Sequence, residues 1–220
     1  MTLLLYRGLQ LLLSPLLVLM LLYRRWVGRE DADRFDERLG HASHPRPEGQ
    51  LVWFHGASVG EVNSLTPVLH HLRHARPGVH LLLTTGTRNG MRMLETLAPT
   101  LEGHGQVFTH SVPLDICFAV SRFFNHWKPN LSIFVESEFW PELLAAAPHP
   151  ILLNGKISDR SWPRYQQWTW FFRSMVSRYT LIIAQREVDA QRLRHLGATN
   201  ITVGGNLKFD AHPLPVDDVQ

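Results

Sequence analysis

Leu51-Val52-Trp53-Phe54-His55-Gly56-Ala57-Ser58-Val59-Gly60-Glu61 is the stretch on which the fold turns. Its first five residues form an apolar run of strand length. From Glu61 the spacing becomes helical, with Val62, Leu65, Val68, Leu69 and Leu72 on one face. Two glycines lie between, and without side chains they let a ligand approach the backbone closely. Glu61 therefore lands at the mouth of a strand-to-helix turn, where open α/β sheets bind ligands and where a catalytic base is useful. The same glutamate has a structural reading. Ser58-x-x-Glu61 fits a capping box, in which both side chains satisfy free N–H groups at the helix start. The two roles are compatible. A helix N-terminus favours the ionised carboxylate, which predicts a base that is ready at neutral pH but weakened.

Outward from this turn, strands and helices alternate. Residues 81–83, 131–135, 151–153, 181–183 and 201–203 read as further strands. Helices are predicted from Glu61, from about Met91, over 113–127, over an aromatic stretch at 162–178, and over 187–196 before Gly197. Repeated β-α-β order implies a parallel sheet covered on both faces, an α/β, Rossmann-like, doubly wound domain over residues 51–210.

The N-terminus differs in kind. Residues 9–23 are nearly all apolar, interrupted by Gln10, Ser14 and Pro15, and are followed by Arg24, Arg25 and Arg29. The run falls short of the roughly 20 apolar residues that span a bilayer comfortably. Arg24-Arg25-Trp26 follows it in place of a small-residue cleavage site. Residues 1–28 are therefore expected to be an uncleaved membrane-anchor helix, either barely spanning or lying in the interface, with a buried core helix as the alternative. The basic flank would keep the α/β domain on the cytoplasmic side. Residues 29–50 read as a charged segment and linker, and 211–220 as the start of another linker. A net charge of +3 is too mild to argue for nucleic acid but suits an anionic surface or substrate. Cys117, the single cysteine, excludes an internal disulfide and sits in an apolar pattern that predicts a buried thiol.

The distinctive polar residues fall where strands end. Glu136-Ser137-Glu138 follows 131–135, Asn154 through Ser161 follows 151–153, and Gly204 through Asp210 follows 201–203. Carboxylates, amides and cations thus converge on one crest of the sheet, although any single loop of this kind is also an ordinary helix cap. No G-x-G-x-x-G or Walker A pattern occurs, so the dinucleotide and P-loop readings lack their phosphate grips. His70 and His74 are four apart on a helix but have no third ligand in view, and no metal site is expected. The aromatic stretch with Trp162, Tyr165, Trp168 and Trp170 reads as core. Arg164, Arg173 and Arg178 leave a membrane-facing edge open.

Together these segments resemble the lipid A Kdo transferases, the 3-deoxy-D-manno-octulosonic acid transferases. The resemblance rests on Trp53 through Asn63, Glu136 through Pro141, Asn154 through Ser161, and Gly205 through Asp210. It implies the N-terminal, acceptor-side half of a two-domain GT-B glycosyltransferase at the cytoplasmic face of the inner membrane. Such an enzyme moves Kdo from CMP-Kdo to a lipid A precursor, lipid IVA, with inversion and without a metal or other cofactor. The resemblance gives Glu61 the role of general base and Glu136 and Lys208 that of transition-state stabilisation. Ser58, Gly60, Glu138, Asn154, Lys156, Ser158 and Arg160 become substrate-binding candidates. The implied partners are the lipid A precursor, inner membrane lipid and CMP-Kdo, the last held through a C-terminal domain that this chain lacks. The turn Thr85-Gly86-Thr87-Arg88-Asn89-Gly90 departs from the family's usual Thr-Pro-Thr-Gly-x-Glu. Without a donor domain, the rival expectation is a catalytically silent membrane-bound binding module.

Overall fold

The computed structural model describes residues 2–28, 30–31 and 33–209. The expected linker at 211–220, and Asp210 of the last motif, lie outside the described residues. The strands are β1 Leu51–His55, β2 His80–Thr85, β3 Val107–Ser111, β4 Leu131–Val135, β5 Pro150–Gly155, β6 Leu181–Ala184 and β7 Ile201–Val203. The helices are α1 Thr2–Trp26, α2 Val59–Ala75, α3 Arg88–Leu97, α4 Cys117–Trp127, α5 Pro141–Ala146, α6 Trp162–Gln167, α7 Thr169–Val176 and α8 Glu187–His195. The strands pair in the order β3-β2-β1-β4-β5-β6-β7, and every pairing is parallel.

Alternate residues of β1 serve opposite faces, which is why its run is apolar throughout. Leu51 and Trp53 join a core with Phe123 and Trp127 of α4, Leu143 of α5, Val176 of α7 and Leu193 of α8. Val52 and Phe54 join the other, with Val62, Leu65 and Leu69 of α2 and Leu94 of α3. Trp53 is fully buried, edge-on to Phe134 at 5.0 Å, and its indole N–H donates to Thr84 Oγ1 at 2.8 Å. That bond removes the cost of burying an indole N–H without a partner. Helices on both sides make this a doubly wound α/β sheet.

Several elements differ from the expectations. β3 escapes the pattern reading, because Val107-Phe108-Thr109-His110-Ser111 mixes polar and apolar residues at the sheet edge. Chain preceding β1 guards that edge: Arg34 donates to Thr109 O, and Glu37 accepts from Ser111 N. The stretch before β1 is thus packed rather than free, with Phe35 and Glu37 buried. The helix expected from Pro113 begins instead at Cys117, after an extended Ile116. Asp115 is engaged elsewhere, accepting the N–H groups of Glu142 and Leu143 at the start of α5. The aromatic helix is two helices. Trp168 leaves helical geometry at φ −111° and ψ 32°, and the Thr169 hydroxyl bonds back to the carbonyls of Tyr165 and Gln166. Cys117 is half-buried rather than buried.

In α1 the stretches Leu3–Gln10 and Leu12–Trp26 meet at 58°. Pro15 explains the break, since it has no N–H for the carbonyl of Leu11 and its ring clashes there. Among the described residues no single helix is long and apolar enough to cross a membrane; the two stretches of α1 meet that test only together. The first half is tied to the domain. Arg7 pairs with buried Glu142 through two bonds of 2.8 and 3.0 Å, and the Tyr6 hydroxyl donates to Asp115 at 2.8 Å. Leu12, Leu16, Leu19 and Trp26 remain exposed on the outer side.

Candidate active site

Strand order reverses direction between β1 and β4, which opens a crevice at their C-terminal ends. β1 leads into the Gly56 turn and Glu61, while β4 leads directly into Glu136, Ser137 and Glu138. Two segments far apart in sequence are therefore brought together by the topology.

Ser58 is the N-cap of α2 and accepts the Glu61 N–H at 3.4 Å. Its hydroxyl donates to Glu61 Oε1 at 3.0 Å, and the Ala57 N–H donates to Oε2 at 2.7 Å. The glutamate reaches one residue beyond the partner of an ordinary capping box, so the structural role is real. Each carboxylate oxygen retains a further lone pair for a ligand hydroxyl. The expectation of a weakened base is overturned. Burial, and next the charge of Glu138, raise the Glu61 pKa; the bonds from Ala57 and Ser58 oppose this without cancelling it.

The two glycines play different parts. A Cβ on Gly56 would lie 3.1 Å from the Val62 nitrogen, so the tight turn favours glycine there. A Cβ on Gly60 would meet only the Lys208 ammonium, at 3.9 Å. Packing does not demand glycine there, and the space above the helix start is left for approach by a ligand.

Glu136 adopts a left-handed backbone at φ 65°, uncommon for a glutamate. Two bonds to the strand beside it hold that conformation: its N–H donates to Leu153 O, and its carbonyl accepts from Lys156 N. Strain kept in this way clusters at functional sites. Its Oε1 lies 2.7 Å from Lys208 Nζ. Asn154, also left-handed at φ 56°, positions that lysine's loop by accepting the Leu207 N–H at 3.2 Å. The Asn154 Nδ2 group is buried without a partner among the described residues, a donor available to a ligand.

Beneath the crevice lies a network that sequence reasoning missed. Buried His55 places Nε2 3.2 Å from Glu138 Oε2 and Nδ1 2.9 Å from Thr84 Oγ1. Glu138 also accepts the Trp140 indole N–H, and its carbonyl accepts the Tyr179 hydroxyl. The signal available was a lone histidine at the last position of an apolar strand, which burial alone explained. The remaining candidates separate. Ser58, Gly60, Glu61, Glu136, Glu138, Asn154 and Lys208 belong to this crest, with Lys156 tied to it by its backbone. The described bonds of Ser158 are to Ser161 and Trp162 at the start of α6, Arg160 is exposed, and no described contact joins either to Glu61.

A cavity of about 630 Å³ adjoins the crest. Its walls are the inner side of α1 and the loops after β1, β2 and β3, and it reaches His55 and Ala57 beside the base.

Residues 33–211 match the family model described as 3-Deoxy-D-manno-octulosonic-acid transferase (kdotransferase). The chain belongs to this family. It is 33% identical over 216 residues to the 3-deoxy-D-manno-octulosonic acid transferase of Rickettsia bellii, an alignment covering 97% of this chain and 50% of that protein. It is 33% identical to the probable mitochondrial 3-deoxy-D-manno-octulosonic acid transferase of Arabidopsis thaliana, covering 93% of this chain and 46% of that protein. The Haemophilus influenzae transferase is 32% identical, covering 93% and 48%. This Kdo transferase family chain thus spans about half the length of the curated relatives it matches. The matched region contains every element from β1 to β7.

Proposed function

We propose that this chain is the acceptor-side half of an inverting Kdo transferase, moving Kdo from CMP-Kdo to lipid IVA in lipopolysaccharide biosynthesis. The observation that carries the reading is the placement of Glu61 after β1 within reach of the charge of Glu136 after β4, with Lys208 from the loop after β7 at 2.7 Å from Glu136. Glu61 takes the proton of the acceptor hydroxyl as that oxygen attacks the anomeric carbon. Its raised pKa makes the ionised form a stronger base than an exposed glutamate. The Glu136 carboxylate offsets positive charge on an oxocarbenium-like centre, and Lys208 neutralises the sugar carboxylate or the departing phosphate. Attack opposite the leaving CMP inverts the centre. Gly60 leaves room for the sugar, and Asn154 offers it a buried donor. No metal or cofactor enters this scheme, and CMP is held by a C-terminal domain.

The same reading seats the molecule on inner membrane lipid at the cytoplasmic face. The ties from Arg7 and Tyr6 to the domain favour an α1 lying in the interface over one that spans. Exposed Trp168 and Trp170, with Arg164 nearby, extend that surface.

The test is Kdo transfer from CMP-Kdo to a tetraacylated lipid A precursor in detergent, using this chain alone, the chain with a relative's C-terminal half, and Glu61→Ala beside each. Transfer with the added half that Glu61→Ala abolishes supports the reading. Transfer by the chain alone would remove the need for a second domain. Silence throughout from folded protein would overturn the enzyme in favour of a binding module.

A further inference from the structure

The cavity beside the crest is built like a sleeve for a single hydrocarbon chain. Leu9, Leu13, Leu17, Met20 and Leu21 line one side of it from α1, and Val112, Ile116 and Leu143 line the other. The two ends differ. At the crest end lie His55, Ala57, Gly86 and Thr87, with Arg24 and Arg38 close by. Arg88, next to Thr87, bonds to the Gly28 carbonyl and so fixes the C-terminal end of α1 at the crest. Glu30 serves both arginines, at 2.6 Å from Arg24 and 3.7 Å from Arg38, so the cluster keeps an excess positive charge. Arg38 Nε is buried without a hydrogen-bond partner among the described residues. At the far end Tyr6, Gln10 and Asp115 bond to one another and form a polar stop.

We propose that this sleeve holds one acyl chain of the acceptor lipid and measures its length, with an anionic head group at the arginines and the reacting sugar at Glu61. The proposal rests on the acceptor reading above and adds to it a subsite, a direction and a limit. The head faces the base because Ala57, whose N–H bonds to Glu61, forms part of the cavity wall. The tail runs toward the N-terminus of α1, along the apolar row Leu21, Leu17, Leu13 and Leu9 that leads away from the arginines. Allowing for the bend between Gln10 and Leu12, α1 spans about 17 Å from Leu9 to Leu21, the reach of an extended chain of about fourteen carbons. Tyr6, Gln10 and Asp115 set the limit, because a longer tail would strip their hydrogen bonds.

The experiment uses the 220-residue chain and displacement of dansyl-labelled undecanoate by octyl, decyl, dodecyl, tetradecyl and hexadecyl phosphate below their micelle concentrations. Affinity should rise about fourfold per methylene as each is buried, then stop rising after tetradecyl. Leu17→Trp fills the sleeve and should weaken tetradecyl phosphate at least about tenfold, the scale of a core forced to overpack. Leu22→Trp, at an exposed position of α1 that does not line the cavity, should leave the series unchanged. Gln10→Ala opens the stop and should move the plateau out to hexadecyl. A steady increment through hexadecyl would show simple partitioning onto the outer face of α1 and overturn the proposal. So would displacement by phosphatidylcholine vesicles as effective as that by the alkyl phosphates, since the sleeve would then hold bilayer lipid. The wild-type plateau is readable even if Leu17→Trp fails to fold. A plateau without Kdo transfer even when a relative's C-terminal half is added would sink the transferase reading and leave the sleeve; transfer without a plateau would sink the sleeve alone.

Discussion

At Glu61 the competing electrostatic effects can be separated by substitution. Burial and Glu138 hold its proton, while the Ala57 N–H and the Ser58 hydroxyl favour its loss. Glu136, itself paired with Lys208 at 2.7 Å, contributes in the same direction as Glu138 but less. Glu138→Gln removes one carboxylate and should lower the Glu61 pKa, moving the acid limb of the transfer rate to lower pH. The same shift should be visible without turnover, in the carboxyl carbon resonance of Glu61 titrated by NMR. An unmoved titration would assign the whole effect to burial. Ser58 and Glu61 were legible as a cap because their three-residue spacing carries the information locally. The His55–Glu138 contact was not, because it joins β1 to the loop after β4, and no spacing within either segment encodes it.

Asp115 governs how elements meet. Its carboxyl accepts two N–H groups of α5 and the Tyr6 hydroxyl of α1, and burial pushes its pKa from 3.8 up to about 6. The sign comes from proton binding. Between these values the folded chain keeps a proton that the unfolded chain has released, so the group favours folding below about pH 4 and loses that effect as pH rises to about 6. The loss is up to about 3 kcal/mol. Urea unfolding at pH 4.5 and pH 7 should show wild type losing stability over this interval, and Asp115→Asn should flatten the difference. An equal slope in the variant would mean that another group sets it. Helix type and order were legible where periodicity was strong, as in α2 and α8. β3 and α5 were not: β3 is an edge strand guarded by chain that precedes the sheet, and α5 is short and begins with a proline and a distant cap. The break at Trp168 escaped because apolar spacing continues across it while the backbone does not.

Across the whole molecule, α1 carries most of the large exposed apolar side chains among the described residues. Leu12, Leu16, Leu19 and Trp26 of α1 are exposed, and near its start exposed Leu5 shares an apolar groove with Trp168 and Trp170. Leu12→Ser with Leu16→Ser should weaken binding to vesicles of phosphatidylglycerol and phosphatidylcholine by about tenfold or more, since each leucine gives up much of its transfer free energy. Co-sedimentation measures this directly, and unchanged binding would show that the strip does not meet lipid. The α/β class was legible because alternation persists along the chain. The strand order, and with it the neighbours of Glu61, depends on how β4 crosses back past β2 and β3, which local pattern does not determine.

That crossing has a kinetic consequence. Val52 pairs with Leu131, so the crevice closes only after chain about eighty residues apart has met, an entropically costly step of the kind that slows folding. The β1–β2 and β2–β3 pairings need far shorter loops and can form without it. The cap of α2 rests on contacts within residues 57–61 and does not need that pairing. Glu138 reaches His55 only through it, so the site is completed by the same long-range pairing that builds the core around Trp53 and Phe134.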